Sequence, residues 1–332
     1  MNLAEMGTAT TAATAPSLRT SSGVAVIGLI IVLAALPLVV SNRYVLHVLI
    51  MVFLYAYLGN AWDILGGYTG QFSFGPALFF GIGAYASSLA VILAGLTPWA
   101  GMLLGAACAT LVALGVGYLC FRFGLRGLYF SITTLFLAEM ARVLSTNYAP
   151  GQAQGIQLPL KGDSLYDLQF TQAKPYYYIA LLMLLGMWGV LYRLERSRLG
   201  YYLVAIRESD ETAQSLCVNT MKYKLLAIAL SACLTALGGT FYAQYVLFVD
   251  PSIAFGNSTS VEMIIRPIAG GMGTILGPFL GSLVLTPMAE LTRGLLGRFA
   301  GIHLAFYGAI LIGVILLMPS GLAGVLLRRT RS

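Results

Sequence analysis

Charged side chains interrupt several apolar stretches of this sequence, and their spacing groups most of them in pairs. The members of a pair are three or four residues apart, so they can meet on one face of a helix. Such a pair is either a neutralised structural pair, or a contact for a zwitterionic solute or a gate. Glu262 and Arg266 are favoured for the second role because Pro267, Gly270 and Gly271 interrupt the same stretch. The charged residues within or at the ends of apolar stretches are Asp63, Glu139, Arg142, Glu262, Arg266, Glu290 and Arg293.

The most polar part of the chain, residues 193–224, lies between two long apolar stretches; we call it the polar segment. A charge at the centre of a bilayer costs about 2.5 kcal/mol or more, so this segment must lie in water beside a membrane. Its cations outnumber its anions, which favours the cytoplasmic side. Residues 209–216 fit one short helix with an acidic beginning, where the helix dipole favours anions. Ala213 and Leu216 are placed to offer a partner a small apolar stripe; an ordinary solvated loop helix is the alternative.

Motifs for other kinds of chemistry do not occur in the sequence. There is no G-x-x-x-x-G-K-[ST] phosphate loop, so any ATP hydrolysis is expected on a separate subunit. There is no nucleophile elbow and no H-E-x-x-H motif. The four cysteines lack metal-ligand spacing, and His47 and His303 stand alone in apolar surroundings. We therefore expect no catalytic residue, no metal and no cofactor in this chain.

Long apolar stretches are the elements that must position these charges. Hydrophobic residues make up 58% of the 332 residues and charged residues only 9%, which indicates an all-α polytopic membrane protein. The net charge of +7 is concentrated in short loops and in the C-terminal RRTRS. Basic residues in such positions indicate membrane topology, and no nucleic-acid partner is expected.

The hydropathy pattern predicts about ten transmembrane or re-entrant helices, several of them shorter than the usual length of roughly 20 residues. With the polar segment in the cytoplasm, both termini and the loop with Arg122 and Arg126 fall inside, whereas loop 145–174 falls outside. Residues 1–22 are expected to be a flexible tail and 23–332 one transmembrane domain. The predicted stretches are 24–40, 44–64, 72–94, 98–121, 128–144, 175–194, 225–248, 258–271, 274–291 and 302–318.

Two glycine-dense segments, one in each half of the chain, resemble each other. GQFSFGPALFFGIGAY contains Gly75 and Pro76, and GGMGTILGPFLGS contains Gly277 and Pro278. Glycine and proline free backbone groups that only a protein-lined or wet cavity can satisfy, so paired interruptions point to a transport pathway. Close helix packing through small residues is the alternative. The helix-breaking candidates are Gly75, Pro76, Gly270, Gly271, Gly277 and Pro278.

Five sequence blocks in a fixed order resemble the permease subunits of ATP-binding-cassette importers for branched-chain amino acids. The blocks are WDILGGYTGQFSFGPALFFGIGAY, LRGLYFSITTLFLAEMAR, AIRESDETAQSLCVN, GGMGTILGPFLG and MPSGLAG. The resemblance covers nearly the whole chain from about residue 40. Within the family, the chain is most similar to the member of the permease pair that carries the long periplasmic loop.

The resemblance implies a multi-pass inner-membrane permease that pairs with a second related permease, two cytoplasmic ATPase subunits and a periplasmic solute-binding protein. ATP and magnesium would bind on the ATPases. Loop 145–174 would be periplasmic, and the polar segment would contain the coupling helix that docks on an ATPase. The coupling residues implied in this way are Arg207, Glu208, Asp210, Glu211, Ala213 and Leu216.

Several residues depart from the family pattern. Cys217 stands where the family usually has a glycine, which would serve as a left-handed helix cap. Pro76 and the pair Arg266–Pro267 are also unusual, and the outer-loop stretch APGQAQGIQLP matches only loosely. Branched-chain amino acids are the expected cargo, with urea, amides and small carboxylates, including aromatic acids, as alternatives. A secondary ion-coupled transporter and an intramembrane enzyme are the rivals from other classes.

Overall fold

The computed structural model describes residues 20–39, 42–148, 154–160, 162–296 and 308. The chain divides into two compact units, Met1–Ser41 and Asn42–Ser332. The first unit contains helix α1 (Thr20–Val39). The helices of the second unit are α2 (Arg43–Gly66), α3 (Pro76–Leu93), α4 (Pro98–Arg122), α5 (Leu128–Tyr148), α6 (Ala173–Arg196), α7 (Arg198–Glu208), α8 (Asp210–Ser215), α9 (Thr220–Val246), α10 (Pro251–Ala254), α11 (Asn257–Gly270) and α12 (Gly277–Leu296). Its strands are β1 (Ile156–Gln157) and β2 (Phe248–Val249).

Six helices in the described part of the chain are long and apolar enough to cross a membrane: α2, α3, α4, α5, α6 and α9. The mostly helical structure with these spans supports the predicted all-α polytopic class. The total of ten helices and the side on which each terminus lies stay predictions. Residues 1–19 of the predicted tail 1–22, the stretch 302–318 apart from residue 308, His303 and the C-terminal arginines lie outside the described residues.

Helix α2 forms the centre of the second unit, because it packs against α6, α9, α11 and α12. Its large side chains Phe53 and Trp62 are buried, and Trp62 Nε1 donates a hydrogen bond to the carbonyl oxygen of Ser73 at 2.8 Å. Helices α3, α4 and α9 pack together beside it. Helix α5 differs from α2, since its buried residues form one narrow stripe: Phe130, Ser131, Thr134 and Ala138.

Loops that the topology predicts on one side of the membrane contact one another. Arg126, between α4 and α5, pairs with Asp210 of the polar segment at 3.1 Å. At the other ends of the helices, β1 pairs antiparallel with β2, and Trp99 Nε1 donates to the carbonyl oxygen of Leu165 at 3.0 Å. The loops after α3, α5 and α9 are therefore grouped together, as the alternation of the predicted spans requires.

Helix α11 is only 14 residues long, about 21 Å, which is less than the roughly 30 Å of a bilayer core. Its beginning lies beside α3, since Ser260 Oγ accepts a hydrogen bond from the backbone N–H of Ala77. Phe255, just before α11, packs against Tyr85 of α3. Helix α11 therefore begins beside α3, a membrane-spanning helix, and is too short to cross the bilayer alone. Both features fit the interpretation of stretch 258–271 as a broken helix.

Candidate coupling surface and membrane pathway

The polar segment folds as two short helices, α7 and α8, that join α6 to α9. Ser209 separates them: its extended backbone ends α7, and its Oγ caps α8 by accepting from the backbone N–H of Thr212 at 3.2 Å. Asp210 and Glu211 occupy the first turn of α8, where the helix dipole favours negative charge. The short helix predicted for residues 209–216 is present.

Asp210 holds the start of α8 in place through two cations from other elements. Lys224 Nζ of α9 donates to its carboxylate at 2.9 Å, and Arg126 Nη2 lies 3.1 Å from the same oxygen. Burial raises the pKa of Asp210, but the Lys224 hydrogen bond and the charges of Lys224 and Arg126 outweigh it, so the pKa is lowered. Neither cation was among the predicted site residues. The sequence did place Arg126 in a loop on the cytoplasmic side of the membrane, where the polar segment was also expected.

The outward face of this segment differs from the predicted apolar stripe. Ala213 is 2% exposed because α8 packs against α7 and α9, so the prediction that it forms a surface stripe with Leu216 is wrong. Leu216 is 73% exposed. The side chains of Glu208 and Glu211 are exposed as well. A partner that approaches α8 therefore meets the carboxylates of Glu208 and Glu211 and the side chain of Leu216, among other exposed residues.

Cys217 adopts the left-handed conformation expected for the glycine it replaces. Its φ is 61°, and the chain turns there so that the N–H of Val218 donates to the carbonyl oxygen of Ala213 at 3.1 Å. A side chain in this conformation costs roughly 1–2 kcal/mol. The turn after α8 therefore has the left-handed geometry that a glycine adopts without strain, with a cysteine at that position.

Arg207 points back toward the membrane helices. Its Nη1 donates to the carbonyl oxygen of Gly67, just after α2, at 3.0 Å, and its Nη2 pairs with Glu208 at 3.1 Å. Nearby, Tyr68 donates to Glu195 Oε1 at 2.6 Å, and burial followed by the charge of Glu195 raises the pKa of Tyr68. These contacts connect the ends of α2, α6 and α7.

Asp63, a predicted pathway candidate, lies near the end of α2 and is fully buried. Its two carboxylate oxygens accept from the backbone N–H of Gly273 at 2.8 and 3.1 Å. It therefore joins α2 to the turn between α11 and α12. No solvent-exposed surface of Asp63 is available to a solute in this conformation.

Glu262 and Arg266, the favoured pathway pair, form a buried structural cluster. Arg266 is 0% exposed, its Nη1 donates to the carbonyl oxygen of Glu262, and its Nε lies 3.3 Å from Thr286 Oγ1. Its guanidinium covers the ring of Tyr55, 3.7 Å from the centroid. Because these contacts enclose the cation, they favour the structural alternative for this pair. Its role as a solute contact stays a prediction.

Glu139 and Arg142 of α5 remain accessible. Arg142 Nε donates to Glu139 Oε2 at 2.9 Å, and each side chain is 33% exposed. Glu139 is 11 residues after the start of α5, about 16 Å along the helix. The pair is therefore close to the middle of a span and only partly covered by this chain.

The glycine–proline segments are points of close backbone packing. A Cβ on Gly75 would lie 2.1 Å from the carbonyl oxygen of Thr134 in α5. A Cβ on Gly270 would lie 1.8 Å from the carbonyl oxygen of Gly277, and Gly271 has a φ of 121° at the end of α11. Pro76 and Pro278 stand in the first turns of α3 and α12. These contacts support the packing alternative for both segments.

Comparisons with known proteins give one consistent family. The family described as branched-chain amino acid transport system / permease component matches residues 44–315. The high-affinity branched-chain amino acid transport system permease protein LivM of Salmonella typhimurium is 28% identical over 321 residues, covering 89% of this chain and 73% of the relative. LivM of Escherichia coli is 27% identical over 323 residues with the same coverage.

A third relative is similar over a shorter region. The autoinducer 2 import system permease protein LsrC of Klebsiella pneumoniae is 30% identical over 140 residues, 39% of this chain and 38% of the relative. No solved structure matches the chain significantly.

Proposed function

Because the chain belongs to the family of branched-chain amino acid transport permeases, we propose that it forms one half of the membrane pathway of an ATP-driven importer for branched-chain amino acids. It is a multi-pass protein of the inner membrane, as its relatives and its apolar helices indicate. The observation that carries the proposal is the family match over residues 44–315, which includes both the spans and the polar segment.

ATP hydrolysis by this importer is proposed to take place on other subunits. The chain has no phosphate loop, so two cytoplasmic ATPase subunits would bind ATP and Mg²⁺. The exposed Glu208, Glu211 and Leu216 support docking of an ATPase on α8. A second related permease completes the pathway within the lipid, and a periplasmic binding protein delivers the solute to the opposite side.

The pathway is proposed to run along the open face of α5. Ionisable side chains within spans face a bundle interior or a water-filled cavity, since charge exposed to lipid is costly. Glu139 and Arg142 are partly exposed near the middle of α5, so the partner permease must enclose this face. A zwitterionic amino acid presents one ammonium and one carboxylate, which complement this pair of side chains.

Uptake by cells that depend on this importer tests the proposed function. Deleting the chain should abolish ATP-dependent uptake of labelled leucine, and unlabelled isoleucine and valine should compete with leucine in the intact system. If urea or an aromatic acid competes with leucine while isoleucine and valine do not, the proposed cargo is wrong. The proposal that the protein belongs to an ATP-driven importer would still stand. Uptake that needs an ion gradient and no ATPase subunit would overturn the class.

A further inference from the structure

Three segments that are far apart in the sequence meet around Arg207. Arg207 Nη1 donates to the carbonyl oxygen of Gly67 at 3.0 Å, and the N–H of Gly273 donates to the carboxylate of Asp63 at 2.8 Å. We call Asp63, Gly67, Arg207 and Gly273 the Arg207 junction. It joins α7 of the polar segment, the end of α2 and the turn between α11 and α12.

The junction has little free space. A Cβ on Gly273 would lie 3.2 Å from Arg207 Nη1, and a Cβ on Gly70 would lie 2.9 Å from Arg207 Cγ. A Cβ on Gly67 would lie 2.0 Å from Asp63 Oδ1 and 2.7 Å from the nitrogen of Gly273. Glycines thus stand where the backbone approaches these two side chains, and a side chain at any of these glycines would collide with Arg207 or Asp63.

Hydrogen bonds connect the same residues. Asp63 is fully buried, so its carboxyl group needs hydrogen-bond partners within the protein. Gly273 supplies a backbone donor to that group, and the N–H of Gly67, whose carbonyl oxygen accepts from Arg207, donates to the carbonyl oxygen of Asp63 at 2.7 Å. Withdrawing Arg207 would release the carbonyl oxygen of Gly67 and would weaken the conformation in which the end of α2 holds the α11–α12 turn.

Arg207 also stands next to the surface on which an ATPase is proposed to dock. Only Glu208 separates it from Ser209, the cap of α8. On the other side of the junction, α11 and α12 pack backbone to backbone at Gly270 and Gly277, so they form one closely packed hairpin with their turn. We propose that Arg207 and Asp63 are positioning residues that transmit displacement of α8 to the α11–α12 hairpin. This inference rests on the proposed function.

The ratio of solute transported to ATP hydrolysed tests the proposal. The complete importer is reconstituted in proteoliposomes with Arg207→Gln or Asp63→Asn in this chain. Each variant should lower the leucine-to-ATP ratio about fivefold or more, because coupling between sites carries effects of that size. The double variant should fall no further than the single ones, since both changes break one connection. A purely structural role would change the amount of complex and leave this ratio intact.

Arg198→Gln is the matched control, because it removes the same charge from an exposed position at the other end of α7. It should keep the wild-type ratio. A wild-type ratio in Asp63→Asn or Arg207→Gln, additive effects in the double variant, or failure of all three to assemble would overturn the proposal. If the wild-type complex itself does not couple leucine uptake to ATP hydrolysis, the proposed function fails instead.

Discussion

At the scale of single residues, three-dimensional contacts decide between roles that spacing alone leaves open. Two ion pairs with nearly the same spacing have opposite environments: Arg266 is enclosed by Tyr55 and Thr286, whereas Arg142 is partly exposed on α5. The spacing of Ala213 and Leu216 likewise cannot specify which of them faces α7 and α9. Residue types and spacing predicted these side chains as candidates, but their accessibility depends on packing between distant parts of the chain.

Replacing Arg142 tests the proposed pathway pair. Arg142→Gln should raise the KM for leucine uptake about tenfold, because a charged hydrogen bond contributes about 1.5–3 kcal/mol. Expression and binding to the ATPase should stay unchanged, since the side chain is only partly covered on α5 and α5 is not part of the polar segment. Kinetics of labelled leucine uptake measure the effect. An unchanged KM would remove this pair from the pathway.

Cys217 offers a test of backbone strain. Cys217→Gly should stabilise the chain by about 1 kcal/mol, because glycine adopts a positive φ without the steric cost of a side chain. Cys217→Ala is the control and should not stabilise, since alanine keeps the Cβ atom. Thermal unfolding in detergent compares them, and equal stability of the glycine and alanine variants would contradict the expectation.

The lowered pKa of Asp210 predicts a pH dependence with a definite sign. Its ion pairs stabilise the fold fully above the unfolded-state pKa of about 3.9, and this stabilisation is lost as pH falls through the lower folded-state pKa. The stability difference between wild type and Asp210→Asn should therefore be constant near neutral pH and shrink in acid. Unfolding of both proteins measured from neutral to acidic pH checks this expectation. A stability difference that grows in acid would refute the stabilising role of the Asp210 ion pairs.

At the scale of elements, the sequence predicted α8 well and its surroundings poorly. The acidic residues after Ser209 locate the beginning of α8, and the apolar stretches locate the six spans that the structure describes. The shortness of α11 was visible in the sequence as well. In contrast, Asp63 and Gly273 are 210 residues apart, so their contact could not be read from any local pattern.

The close packing of the start of α3 on α5 predicts that Gly75 tolerates no larger residue. Gly75→Ala should destabilise the chain by about 1–3 kcal/mol, because the new Cβ would overlap the carbonyl oxygen of Thr134. Gly186→Ala in α6 is the control, since its Cβ would meet no atom within 4 Å and should be neutral or mildly stabilising. Thermal unfolding of both variants decides, and equal stability would contradict the packing assignment.

At the scale of the whole molecule, the described chain combines six long apolar helices with the polar segment that joins α6 to α9. The spans enclose buried charges in structural contacts, while α8 presents Glu211 and Leu216 outward. The Arg207 junction lies between these two parts. Such a division suits the proposed subunit whose energy comes from partners, because the contacts of Arg207 connect the polar segment to the end of α2.

ATP-driven leucine uptake by the reconstituted complex, with the exposed face of α8 altered, tests the central claim most directly. The double variant Glu211→Lys, Leu216→Lys changes two exposed side chains. Glu211 also pairs with Arg126 at 3.8 Å, but an exposed ion pair contributes about 1 kcal/mol or less, so the fold of the chain should be retained. We predict that the ATPase no longer binds and that ATP-driven uptake is lost. Wild-type uptake by this variant, with ATP as the energy source, would contradict the account.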